Sequence, residues 1–175
     1  IKIEAPDGDP SRLYGPFANG IEDKEHSIFW LYHNTGKKSV TLDLETKNGQ
    51  DAAAKLIESA DILIETLDPG KMAGWGLGYE DLKKKNPALI MCSITPFGQT
   101  GPYAHWHAAS DMIPFALAGN MYECGLPGMN YAPLTLGRNL TNNSAGLYAA
   151  VAILAQLRKA RKTGEGCYID TAVVA

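Results

Sequence analysis

Few residues in this chain combine a type and a spacing that could do chemistry. His105-Trp106-His107 offers two imidazoles one residue apart. A metal site needs further ligands at a recognisable interval, and none follows, so packing or surface is the better reading and no metal is expected. Cys92, Cys124 and Cys167 stand far apart and form neither a CxxC pair nor a disulfide framework; they point to a reducing cytoplasm. Cys92 reads as an inert buried thiol and Cys124 as an exposed one, neither with a basic neighbour that would favour a thiolate. Gly74-Trp75-Gly76-Leu77-Gly78 mimics a dinucleotide loop but lacks the G-x-G-x-x-G spacing and does not directly follow a strand. A hinge is the role left to it. Asn142 and Asn143 precede a long apolar-periodic stretch, where asparagine is a good capping residue. An amide has an uncharged oxygen and a delocalised nitrogen lone pair, so neither can act as an oxygen nucleophile. No aspartate lies between Asp111 and Asp170 to do so in their place.

The elements that must position these residues alternate strand and helix. Ser39–Leu42 reads as a short β-branched strand, and Asn48-Gly49 lead into a helix with Ala52, Leu56 and Ile57 at helical spacing. Asp61–Glu65 is a strand, Tyr79–Lys85 a short helix with a basic last turn, and Leu89–Ile94 a buried strand after Asn86-Pro87. Ser110–Ala118 reads as helix, and 119–133 as a Gly/Pro/Asn-rich loop. Ser144–Lys159 reads as a long helix capped by Ser144, with Leu147, Val151, Leu154 and Leu157 on one side. Thr163–Gly166 then turns into a strand, Cys167–Asp170. This order predicts an α/β fold with a parallel sheet and flanking helices. Ligands of such sheets bind beyond the strand carboxyl ends, which singles out the loops Thr66–Trp75 and Thr95–Ser110.

Composition sets wide bounds. A chain of 175 residues, 45% hydrophobic and 20% charged, suits one globular domain with a core. The net charge of -3 and the scattered Lys and Arg give no phosphate-backbone footprint, so nucleic acid is not expected. No apolar run approaches the ~20 residues of a membrane span, so no membrane partner is expected either.

A series of motifs then narrows the reading. In order these are Ile1–Glu4 with Gly8–Arg12, Asn34–Asp43 (NTGKKSVTLD), Ala60–Gly70 (ADILIETLDPG), Gly76–Tyr79, Asn86-Pro87, Ser93–Tyr103 (SITPFGQTGPY) and Ala145–Asp170. Together they resemble the class III CoA-transferases, a family that also includes acyl-CoA racemases. The resemblance implies a Rossmann-like large CoA-binding domain over residues 1–175. It places a strand-loop-helix segment before Ile1 and a smaller domain after Ala175, so a fragment is expected. It implies coenzyme A, as an acyl-CoA thioester, and a carboxylic acid as the reacting partners. It also implies an interlocked homodimer, or a heteromer with a sister subunit.

In that family an Asp carboxylate attacks the acyl-CoA thioester, giving a mixed anhydride and CoA thiolate; the thiolate returns to form an enzyme thioester, from which CoA passes to the acceptor acid. The family Asp stands four residues before a glycine. Here the glycine is Gly146 and the matching position is Asn142. A chain that naturally lacks the nucleophile, an altered residue and a shifted correspondence all stay open. The racemase pattern also places a His where Ser110 stands, so both proton-carrying groups are missing from that branch. CoA contacts carried over by resemblance fall on Leu42, Glu45, Thr66, Leu67 and Lys71, with Arg12 a basic alternative. Glu45 replaces a common Lys and would repel the CoA phosphates.

Overall fold

The computed structural model describes residues 1–106, 110–124, 134, 137 and 139–174. The chain divides into two compact units, Ile1–Leu56 and Ile57–Ala175.

In the first unit, β1 (Lys2–Glu4) pairs in parallel with β2 (Ser39–Thr41), Ile3 opposite Val40. Between them lies helix α1 (Ile28–Asn34), started by Ser27, whose hydroxyl oxygen accepts from the Trp30 N–H at 3.1 Å while its own proton goes to the Tyr14 carbonyl at 2.6 Å. A serine with its donor and acceptor both satisfied can be wholly buried, and Ser27 is. Helix α2 (Lys47–Glu58) follows β2. Its buried positions are Ala53 and Ile57, whereas Ala52 and Leu56 of the predicted stripe are only partly covered.

The second unit is built on a parallel sheet in the order β3-β4-β5: Ile62–Glu65, Ile90–Thr95 and Cys167–Ala172. β4 is central and covered on both faces, which is why it reads as a nearly unbroken apolar run. Between β3 and β4 come α3 (Lys71–Gly74) and α4 (Tyr79–Lys85). The latter has Glu80 and Asp81 in its first turn and three lysines in its last, matching the helix dipole at both ends. Between β4 and β5 come α5 (Met112–Leu117), α6 (Asn120–Glu123) and the 24-residue α7 (Leu140–Thr163). Alternation along β4 sends Ile90 and Cys92 to one face, where Ala149, Ile153 and Ala160 of α7 complete the core. Gly166 lets the chain pass the end of β4: a Cβ there would stand 1.9 Å from the Leu89 carbonyl oxygen.

Four sequence expectations need correction. α7 begins at Leu140 rather than after a Ser144 cap; Ser144 lies inside it and donates to the Leu140 carbonyl at 2.9 Å. Of the expected stripe on α7 only Leu157 packs against the core; Leu147, Val151 and Leu154 face outward, 64–71% exposed, because close approach to the sheet selects small residues at 145, 149 and 160. The loop expected from Gly119 contains α6; residues 125–133 of it lie outside the described residues. The Trp75–Gly78 segment is packed, not hinge-like: Leu77 is buried and Gly78 lies against Ala73. Among the described residues no helix is long and apolar enough to cross a membrane.

Candidate functional site

The start of α7 gathers the first set of groups. Asn139 precedes the helix in a left-handed conformation, φ 60°, and makes no side-chain cap. The cap comes from Asp111, about thirty residues earlier. One carboxylate oxygen, Oδ1, accepts from the Thr141 N–H at 3.2 Å, the Asn142 N–H at 3.2 Å and the Thr141 hydroxyl. Asp111 also stands at the N-cap position of α5, yet its side chain makes no bond to that helix. The first N–H groups of α7 would otherwise lack partners, and a carboxylate is what the positive end of a helix prefers. Asn142 is the third residue of α7; its backbone is tied to Asp111 and its residue is exposed. Asn143 points its N–H to the Asn139 carbonyl at 2.9 Å.

The second set lies on the sheet face opposite α7. Register places Glu65 beside Ser93 and Ser93 beside Asp170, at or near the carboxyl ends of their strands. Tyr168 donates to Ser93 Oγ at 2.8 Å. Burial raises the Glu65 carboxyl above its ordinary range; hydrogen bonds from Ser93 and the Leu67 N–H work against that rise, and the nearby Asp170 charge adds to it. Asp170 accepts the Gln99 N–H at 2.9 Å and lies 3.5 Å from where a Cβ on Gly98 would be, so the left-handed turn at Gly98 fits closely over it. Glu65, Asp68, Met72, Tyr79, Ser93 and Tyr168 border a cavity of about 350 Å³. Its lining includes four carboxylates and no Lys or Arg, so it would repel the phosphates of a nucleotide.

The residues singled out for CoA divide between the units. In the first, Leu42 is half-buried and donates its N–H to the Glu4 carbonyl at 2.9 Å, while Glu45 is exposed with its N–H on Asp43. In the second, Thr66 is exposed, Leu67 binds Glu65 Oε2 through its N–H at 2.7 Å, and the exposed Lys71 has its ammonium 5.0 Å from the centre of the Trp75 ring. Arg12 lies within the first unit and bonds Glu4 and Glu25.

His105 belongs to the described residues and His107 lies outside them. Cys92 is buried, and burial pushes its thiol up; Cys124 is half-buried rather than exposed. Sequence reading missed Asp111 as the partner of Asn142, since nothing local couples positions thirty residues apart. It also passed over the Glu65, Ser93 and Asp170 row, although all three lie at or near the ends of strands that were legible.

The whole chain, residues 1–175, matches the profile of CoA-transferase family III. It is 37% identical over 174 residues to the succinyl-CoA:(R)-benzylsuccinate CoA-transferase subunit BbsE of Thauera aromatica, covering 99% of this chain and 42% of that protein. It is 38% identical over 176 residues to the beta subunit of succinyl-CoA–L-malate CoA-transferase of Chloroflexus aurantiacus, again over 99% of this chain and 42% of the other. The crystal structure of a CAIB/BAIF family protein from Brucella suis superposes with a TM-score of 0.85 at 35% identity, over 98% of this chain and 44% of that one. The chain belongs to CoA-transferase family III and spans under half the length of these relatives.

Proposed function

We propose that the protein of which this chain forms the large CoA-binding domain transfers CoA from an acyl-CoA thioester to a carboxylic acid. The observation that carries this reading is the start of α7: an exposed residue 142 beside a carboxylate at the N-terminus of a long helix, in a chain of CoA-transferase family III. The thioester carbonyl and the acids it exchanges with are electrophile and oxygen nucleophile, and a helix N-terminus stabilises the anions between them. The two relatives are named for succinyl-CoA and for dicarboxylic acceptors, which supports short acidic acyl groups as substrates. Within the second unit the nucleotide end of CoA is assigned to Thr66, Leu67 and Lys71. The acidic cavity beside Glu65 is not where its phosphates go.

A second reading is favoured by the naming of both relatives as subunits. A chain with Asn at 142 could bind CoA without reacting, paired with a sister subunit or interlocked with a second copy. The absence of disulfides among the described residues suits a reducing cytoplasm. Calorimetry with CoA on the full-length protein tests what both readings share. Binding is expected, and none at millimolar CoA overturns them.

A further inference from the structure

We propose that Asp111 is the carboxylate that accepts CoA in this protein, with the N-terminus of α7 serving as the oxyanion hole of its own carbonyl. The inference rests on the CoA-transfer reading above and deepens it.

Three observations lead to it. The side chain at 142 is an amide and cannot be acylated as a carboxylate can. A carboxylate is nonetheless present at that turn: Asp111 Oδ1 takes the N–H groups of Thr141 and Asn142, each at 3.2 Å, and the Thr141 hydroxyl. All three donors converge on Oδ1, and Oδ2 accepts no hydrogen bond from any described residue. Oδ1 is therefore held, and Oδ2, on which no described residue sets a donor, is the oxygen assigned to attack. Asp111 is also only partly exposed, and it leaves its own helix α5 uncapped to reach α7.

This asymmetry fits the reaction better than it fits capping alone. Oδ2 attacks the thioester carbonyl carbon; the C–S bond breaks, CoA leaves as the thiolate, and an acyl-aspartyl anhydride forms. The thiolate then attacks Cγ of Asp111 and expels the donor acid as its carboxylate, leaving an aspartyl-CoA thioester. The acceptor carboxylate attacks Cγ in turn, re-forming an anhydride and free thiolate. Finally the thiolate attacks the acceptor's acyl carbon, giving the new acyl-CoA and the Asp111 carboxylate. No electron is gained or lost, and no proton is required. In the two steps at Cγ the oxygen that becomes the tetrahedral oxyanion is Oδ1. Two backbone N–H groups at the positive end of a 24-residue helix and a hydroxyl already point at it, which is what stabilises such an anion without reorganisation.

The test uses the full-length protein with succinyl-CoA and with acetyl-CoA. Borohydride reduces an aspartyl thioester to homoserine, and peptide mass mapping locates it. Homoserine at position 111 is expected. Homoserine at any other position, or transfer with none at 111, overturns the proposal while leaving the CoA-transfer reading standing. If neither homoserine nor transfer is seen, the proposal falls, and CoA calorimetry on the same sample decides whether CoA binding falls with it. Asp111→Asn keeps an acceptor oxygen for the helix and should lower transfer on the order of 10³-fold or more. Should that variant fail to fold, Thr141→Val removes only the hydroxyl donor. It should slow turnover of the enzyme thioester by about tenfold or more while the thioester still forms. A residue that merely caps α7 would leave that turnover unchanged.

Discussion

Glu4 and Glu65 are the same residue type at the same kind of place, the carboxyl end of a parallel strand, one in each unit. They are pushed in opposite directions. Glu4 receives the Arg12 guanidinium at 2.7 Å, and that bond holds its carboxyl down to about 2 in spite of burial, with help from the Ser39 hydroxyl. Glu65 has a hydroxyl, an N–H and another carboxylate around it, so burial prevails and its carboxyl is raised. The difference is one cation. With it, a buried acid becomes part of the scaffold; without it, the acid holds its proton more firmly and borders a cavity. Trp30 joins the first arrangement, with Arg12 stacked 4.1 Å from its ring centre and Lys2 at 5.6 Å.

The largest effect expected from this contrast is at Arg12. Arg12→Ala would leave Glu4, 6% exposed, as an uncompensated buried charge, and should cost about 3–5 kcal/mol. Urea unfolding of the full-length protein at pH 7 measures it. A cost below about 1 kcal/mol, the scale of a surface pair, would place Glu4 in solvent and end the comparison.

The pH dependence sharpens it. Glu4 titrates lower in the folded state than in the unfolded one, so its stabilisation is present above the ordinary value of 4.5 and is lost as pH falls toward about 2. Wild-type melting temperature should fall across that window, and Glu4→Gln should flatten the fall. Glu65 runs the other way. Its folded value is raised, so its contribution is complete below 4.5 and is lost as pH rises through the folded value. Glu65→Gln should therefore stabilise the protein at pH 7 and change little at pH 4. Equal effects at both pH values would mean that charge is not what distinguishes the site.

Much of the fold was legible because periodicity and strand termini are local. The β4 segment read as a buried strand, and α4 was expected over the residues it occupies, since lysines crowd its last turn and Asn86-Pro87 ends it, both local signals. What was not legible depends on distant partners. Arg12 looked like a spare cation for phosphate, and only the fold shows it committed to Glu4 and Glu25. The start of α7 was placed four residues late because its cap is supplied by Asp111. The face of α7 was misjudged at Leu147, Val151 and Leu154 because large apolar residues were taken to mark the buried side, whereas Ala149, Ile153 and Ala160, with Leu157 beside them, meet the sheet. Asn142 was legible as a position and not as an environment: its sequence neighbours are polar, but its nearest carboxylate comes from α5's start.

The smallest effect tests whether the Glu65 side acts as a linked set. Tyr168 donates to Ser93 at 2.8 Å, and Ser93 bonds Glu65 in turn, so a hydroxyl on β5 reaches a carboxyl on β3 through β4. Tyr168→Phe removes the first link with little change of shape and should cost about 0.5–1.5 kcal/mol. In the Glu65→Gln background the cost should differ, because residues of one hydrogen-bonded network do not respond independently. A double-mutant cycle on urea midpoints at pH 7 makes the comparison. Strict additivity would show that Tyr168 and Glu65 merely share a wall of the cavity. A coupling that fades at pH 4, below the ordinary carboxyl value of 4.5, would tie the tyrosine to the charge of the glutamate and complete the contrast with Glu4, whose bonding partner is a permanent cation.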